Sequence, residues 1–324
     1  MISERAFAKS FPSFWQELAP LLTPRFVGGN HVELLQCGAE FFPALEQAID
    51  AATREVRLET YIFADDVTGR RIADALGRAA HRGVAVRVVY DGFGSASWLG
   101  SIDQRLRNAG VEVAVFRPDT GWHRFERSRL RRLHRKLAMI DGRVAFVGGI
   151  NIIDDLNMPE PRHPRFDYAV CVRGPLLARI HTAMAELWAR LHQHGLERLR
   201  AMMAAFPPVS EPAGDYHAWF AFRDNVSHRR DIELEYLAAI LSARSDILIA
   251  NAYFFPGQRF RRALLRARRR GVRVRARRTA RRSLRIARGR RWEARALARR
   301  RGTAPSRSPA RHARGPACIR CVAR

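Results

Sequence analysis

Lysine is almost missing from this chain. Of its 58 Lys and Arg side chains, only Lys9 and Lys136 are lysine. Arginine presents a wide planar fork and lysine a compact point charge on a thin stem, so a position that keeps lysine against this background is singled out. Cysteine is scarce as well. Cys37, Cys171, Cys318 and Cys321 are too few and too scattered for a disulfide framework, and Cys318-x-x-Cys321, with no second pair, reads as accidental. No apolar run reaches the ~18–20 residues that a spanning helix needs. The first twenty residues have neither a basic start nor an apolar core, which argues against a signal peptide and for a cytoplasmic protein. Acidic residues nearly vanish from positions 276–324, where Glu293 stands alone among seventeen arginines.

What is present fits a globular protein. A length of 324 residues with 47% hydrophobic content is enough for two modest domains or one duplicated one. The net charge is +27, of which residues 276–324 supply +16, so the body of the chain is itself basic at +11. A positive surface suits nucleic acid, an anionic membrane or a phosphate-bearing substrate, and does not choose among them.

Residues 33–116 alternate strand and helix patterns. Strand character appears at His31 to Leu35, Val56 to Phe63, Val84 to Tyr90 and Val111 to Phe116; helical periodicity appears at Phe41 to Thr53, Thr68 to Arg82 and Ile102 to Asn108. Such alternation predicts an α/β fold with a largely parallel sheet. The pattern recurs downstream. Glu59-Thr60-Tyr61-Ile62-Phe63 and Arg82-Gly83-Val84 find counterparts in Asn251-Ala252-Tyr253-Phe254-Phe255 and Arg270-Gly271-Val272. Offsets of 192 and 188 residues argue for duplication. We divide the chain into an N-terminal arm (1–32), a first half (33–205), the start of a second half (206–275) and an Arg-rich tail (276–324). The break at 275 falls inside a strand, so the tail reads as a continuation in another frame of a GC-rich gene, and poor order is expected of it.

Lys136 lies in His134-Arg135-Lys136-Leu137-Ala138-Met139-Ile140-Asp141, an H-x-K-x4-D pattern that composition alone would produce ~0.003 times. Leu133 to Ile140 has strand character, Asp141-Gly142 is a strong hairpin turn, and Val144 to Val147 returns. On a strand, His134 and Lys136 project from one face. Gly148-Gly149-Ile150-Asn151 closes the return strand; the glycines permit close backbone approach to a ligand, and Asn151 can donate to a phosphoryl oxygen. The set suits attack on a phosphodiester. Neutral imidazole is a nucleophile near pH 7, ammonium stabilises the non-bridging oxygens, and a carboxylate can orient an imidazole. No metal or other cofactor is required, and a lysine between His134 and Asp141 opposes cation binding.

These residues resemble the phospholipase D superfamily and, within it, the bacterial cardiolipin synthases. Supporting stretches are Glu59 to Phe63, Asp91-Gly92-Phe93-Gly94-Ser95 and Asn251 to Gly257, and the likeness covers roughly residues 25–275. It implies two similar α/β halves with an active site between them, a phosphohistidine intermediate, His134 as nucleophile, Lys136 on the phosphate and Asp141 in support. Gly149 and Asn151 are further candidates for phosphate contact. The implied reaction forms cardiolipin by transferring a phosphatidyl group from one phospholipid, phosphatidylglycerol, to the hydroxyl of another lipid or of glycerol at the surface of the cell membrane. The second half here lacks an H-x-K-x4-D of its own. Impaired activity is therefore expected, or a homodimer that supplies the second histidine.

Upstream of the motif, Arg117, Arg124, Arg127, Arg129, Arg131 and Arg132 interleave with Trp122, His123 and Phe125. This run reads as a solvated face, a collector of anionic headgroups, or a nucleic-acid track with stacking aromatics. Alternatives to the transferase are therefore a nuclease or phosphodiesterase of the same superfamily and a non-enzymatic basic binder of nucleic acid or anionic lipid.

Overall fold

The computed structural model describes residues 26–118, 132–157, 164–193, 195–222, 230–251, 254–277 and 318–323. They fall into two compact units, one of residues 26–232 with 318–323 and the other of residues 233–277.

The first unit is built on nine strands: β1 (Val27–Gln36), β2 (Glu55–Thr60), β3 (Ala85–Asp91), β4 (Glu112–Phe116), β5 (Leu137–Ile140), β6 (Val144–Gly148), β7 (Tyr168–Arg173), β8 (Tyr216–Phe222) and β11 (Cys318–Ala323). Their order across the sheet is β11-β8-β1-β7-β6-β5-β2-β3-β4. On one face lie α1 (Cys37–Asp50), α2 (Val67–His81) and α3 (Leu99–Asn108), whose Phe41, Leu45, Ile49, Ile72, Leu76 and Leu106 close a core over Val56, Leu58 and Val88. On the other face α4 (Leu177–Leu191) sets Leu177, Ile180 and Met184 against Leu137, Met139 and Val147. A further helix, α5 (Leu196–Ala205), follows. Trp188 and His181 are both buried in α4.

The sheet is not largely parallel. Among these strands, only β2–β3, β3–β4 and β8–β11 run parallel; β1–β7, β1–β8, β2–β5, β5–β6 and β6–β7 are antiparallel. Between strands that neighbour each other in the sheet, helical crossovers join β2 to β3 and β3 to β4, and the hairpin at Asp141-Gly142 turns β6 back along β5. Strand β8 pairs with β1, so the first unit extends past the division expected at 205. Its Ala218 and Phe220 fill the α4-side core, which explains the membership.

Strand β2 carries charge into the interior. Its Val56 and Leu58 join the α1–α3 core, while Glu55, Arg57 and Glu59 point toward α4 and are fully buried or nearly so. Arg57 and Arg87 lie 2.6 and 2.9 Å from Glu55, His181 Nε2 lies 3.5 Å from it, and Arg135 lies 2.8 Å from Glu59. Removing one member of a buried pair typically costs about 3–5 kcal/mol, because the survivor is left as an uncompensated charge.

The second unit begins within α6 (Asp231–Ser242) and contains β9 (Asp246–Ala250), α7 (Gln258–Arg269) and β10 (Arg273–Arg277), with Leu237, Ile240, Ala263, Ala267 and Val272 as its core. It repeats α1–β2–α2–β3 down to single hydrogen bonds. Val84 N–H donates to Ala79 O at 3.1 Å, and Val272 N–H to Ala267 O at 3.1 Å. Gly83 and Gly271, at φ 86° and 91°, end their helices in the left-handed region. Arg82 donates to Ile49 O and Ala52 O as Arg270 donates to Ile240 O, Leu241 O and Ala243 O. The strand pairs β2–β3 and β9–β10 are both parallel.

Of the tail, the described residues are Ala276 and Arg277 at the end of β10 and the strand β11, which pairs with β8 from Cys318↔His217 to Ala323↔Phe222. Lack of order was expected throughout, but Cys-Ile-Arg-Cys-Val is a short β-prone alternation. Residues 278–317 lie outside the described residues. Among the described residues, no helix is long and apolar enough to cross a membrane.

Candidate active site

Strand β2 is flanked by parallel β3 on one side and antiparallel β5 on the other, and the site forms beyond its carboxyl end. A crevice at such a change of direction is where open α/β sheets commonly bind ligands. Tyr61 follows β2 directly. Its ring centroid lies 4.8 Å from that of His134, and Lys136 Nζ lies 5.3 Å from it. Nζ also donates to His134 O at 3.0 Å. His134 is exposed, whereas Lys136 is only 7% exposed. Imidazole and ammonium both lie against a tyrosine to which the sequence gave no role. A strand over Leu133 to Ile140 is not: β5 begins at Leu137, and His134 and Lys136 precede it.

The Tyr61 backbone is held from three sides. Ile62 N–H donates to Asn151 Oδ1 at 3.1 Å, Phe63 N–H donates to Ser95 Oγ at 3.0 Å, and Ser95 Oγ donates to Tyr61 O at 3.3 Å. A Cβ on Gly94 would meet the Tyr61 ring at 2.7 Å, so only glycine fits there. Burial and then the charge of Asp91 push the Tyr61 phenol above its ordinary range.

Asp141 is not at this place. Its carboxylate accepts from Thr53 N (2.9 Å), Thr53 Oγ1 (3.1 Å), Arg54 N (2.8 Å) and Glu55 N (2.9 Å), at the start of β2. Tyr61 lies beyond the other end of that six-residue strand, roughly 20 Å away at ~3.3 Å per residue. Burial opposes ionisation of Asp141, yet the N–H groups of Glu55, Thr53 and Arg54 and the Thr53 hydroxyl outweigh it and hold the carboxyl below its ordinary range. Its position suits latching the β5–β6 turn to β2.

The two glycines answer to packing. A Cβ on Gly148 would meet Ala169 Cα at 2.5 Å, and one on Gly149 would collide with the Asp167 carboxylate. Gly149 N–H is already given to Tyr168 O at 3.0 Å, so it does not serve a phosphate. Gly149→Ala is expected to destabilise by about 1–3 kcal/mol through overpacking, read as a lowered urea midpoint with unchanged slope. An unchanged midpoint would contradict the assignment. Asn151 spends its carbonyl oxygen on Ile62 and keeps its amide NH2 for other partners.

Of the basic run, Arg132 stands over the Phe93 ring at 4.5 Å and Arg117 over Phe116 at 5.4 Å. Trp122, His123, Arg124, Phe125, Arg127, Arg129 and Arg131 lie outside the described residues. Among the described residues, no group of three His, Cys, Asp or Glu side chains is placed to hold a metal ion.

Residues 45–159 match the family described as "Cardiolipin synthase, PLD-like domain". The chain is 37% identical over 256 residues to cardiolipin synthase B of Salmonella typhimurium, covering 76% of this chain and 59% of the relative. It is 35% identical over 255 residues to cardiolipin synthase B of Escherichia coli K12, with the same shares covered. It thus spans about three fifths of the length of these curated relatives. The solved phosphatidylserine synthase of Haemophilus influenzae superposes with a TM-score of 0.55 at 14% identity, over 80% of this chain and 64% of that one, which is a likeness of fold.

Proposed function

We propose, for a chain that carries the phospholipase D-like domain of cardiolipin synthases, that it transfers a phosphatidyl group from phosphatidylglycerol to the hydroxyl of a second lipid, forming cardiolipin at the cytoplasmic surface of the cell membrane. An imidazole nitrogen of His134 attacks phosphorus; the N–P bond forms, the P–O bond to the leaving glycerol breaks, and that oxygen takes up a proton. The acceptor hydroxyl then forms the new P–O bond, loses its proton, and returns the imidazole. Lys136 holds the non-bridging oxygens as charge builds, and the Asn151 amide is a second donor for them. Asp141 and the Gly149 N–H are left out of the chemistry. The observation that carries this reading is the exposed imidazole with a nearly buried ammonium beside it, both against Tyr61.

The chain has one H-x-K-x4-D, so a second copy in a homodimer supplies the acid that protonates the leaving alcohol. Without it, turnover falls by ~10²–10⁴-fold, the usual worth of general acid–base help. The test incubates the full chain with vesicles of labelled phosphatidylglycerol and, separately, with plasmid DNA. Cardiolipin is expected from the wild type and not from His134→Ala. DNA cleavage with no lipid product would replace the transferase reading by the nuclease one.

A further inference from the structure

His134 and Lys136 sit ahead of β5, so the strand ladder does not fix them, apart from the bond of Gly148 N–H to Lys136 O at 3.2 Å. We infer that two buried carboxylates, Asp91 and Glu59, are positioning residues that hold this segment in its reactive shape. The inference rests on the reading of His134 and Lys136 as the reacting pair, and it adds two groups that touch no substrate.

Asp91 ends β3 and is 0% exposed. Its Oδ2 accepts from Leu133 N at 2.7 Å, and its Oδ1 accepts from Phe93 N and Gly94 N at 3.0 Å each. One side chain therefore fixes the residue before His134 and also the loop whose Gly94 packs against the Tyr61 ring. Glu59, 2% exposed near the end of β2, faces the Arg135 guanidinium at 2.8 Å. Arg135 is itself 5% exposed, donates to Ala183 O at 3.5 Å, and lies 5.9 Å from the Phe222 ring. Leu133 and Arg135 are both anchored inward, so the residue between them faces out, as alternation along an extended chain demands. His134 is thereby turned outward against Tyr61. Burial raises the carboxyls of both Asp91 and Glu59 above their ordinary range, Asp91 against the N–H groups of Gly94, Leu133 and Phe93, and Glu59 against the charges of Arg135 and Arg57. An evolved core that sought stability alone had cheaper apolar solutions at these places. Misplacement of a reacting group by a fraction of an ångström to an ångström is enough to impair catalysis, which gives such anchors a use.

The variants are near-isosteres. Asp91→Asn keeps one oxygen for Phe93 and Gly94 but sets an NH2 against the Leu133 N–H, which it cannot accept. Glu59→Gln removes the charge opposite Arg135. The measurement is the nuclear Overhauser cross-peak between the His134 and Tyr61 rings in the full chain, assigned with His134→Ala. The cross-peak between Trp188 and His192, whose ring centroids are 4.2 Å apart, serves as the internal control. Both variants are expected to melt cooperatively, keep the control and lose the His134–Tyr61 cross-peak. A cross-peak retained in one variant removes that carboxylate from the proposal; retention in both, or loss of cooperative melting in both, overturns it. If only one variant melts cooperatively, the other carboxylate is a folding group and the folded variant decides its own. No substrate enters this measurement, so a wild type that makes no cardiolipin counts against the proposed reaction alone.

Discussion

Lys136→Ala is expected to lower the single-turnover rate on phosphatidylglycerol by about 10²–10³-fold, the effect of removing one preorganised donor from a developing oxyanion, equivalent to about 2.7–4 kcal/mol. Lys136→Arg should recover little of it. The ammonium sits in a narrow slot with the His134 carbonyl at 3.0 Å, the Tyr61 ring at 5.3 Å and only 7% of the residue exposed. A guanidinium is broader and planar, and its charge is spread over a fork rather than held at a point. Placing it there displaces either the His134 carbonyl, which moves the nucleophile, or the Tyr61 ring, which supports it. The choice of lysine in a chain that uses arginine almost everywhere else then has a steric cause. Rates measured with enzyme in excess separate this chemistry from lipid binding and product release. An arginine variant within a few fold of the wild type would show that positive charge alone matters and that the slot does not.

Much of this molecule can be read from its residues, and the places that cannot share a cause. Amphipathic periods placed α1, α2 and α3 to within a few residues, because each helix buries one stripe over one sheet face. The resemblance of His134 to Asp141 and its glycine sequel led to the phospholipase D-like domain that the comparisons support. The Arg-Gly-Val repeat anticipated two equivalent helix ends because a left-handed glycine there has a local sequence mark. Strand direction had no such mark. A run such as Leu137–Ile140 has the same composition whether it joins β2 parallel or antiparallel. Period-two alternation also carried the expected strand back to Leu133, where Asp91 takes the place of a neighbouring strand as hydrogen-bond acceptor. Tyr61 and Asp91 stood in stretches noted for their likeness to the family, but their meeting at His134 depends on pairings between segments some 30 to 70 positions apart. Asp141, to which the resemblance gave a supporting role, stands apart from that meeting, with its carboxylate bound at the start of β2.

That aspartate supplies the last large effect. Asp141→Ala is expected to destabilise the first unit by about 3 kcal/mol or more, since it strands the buried Glu55 N–H and the part-buried N–H groups of Thr53 and Arg54 that now meet a carboxylate, and each charge-assisted bond is worth about 1.5–3 kcal/mol. The backbone adds to the loss. Asp141 has φ 53°, a region that Asp tolerates better than Ala, at a difference of about 1 kcal/mol. Asp141→Asn keeps that tolerance and one good acceptor, so it should fall between wild type and Ala. The pH dependence follows from a carboxyl held below its ordinary range in the folded chain. Such a group stabilises fully above its unfolded value of ~3.9 and loses its contribution as pH falls through the folded value. Urea midpoints of wild type and Asp141→Ala should therefore differ most at pH 7 and draw closer as pH falls through the lowered folded value. Turnover per folded molecule is expected to stay within a few fold in Asp141→Asn, because the carboxylate is spent at the far end of β2 from Tyr61. A variant as stable as the wild type at pH 7 but slowed by more than ~10²-fold, the scale of a lost acid–base group, would return Asp141 to the reaction.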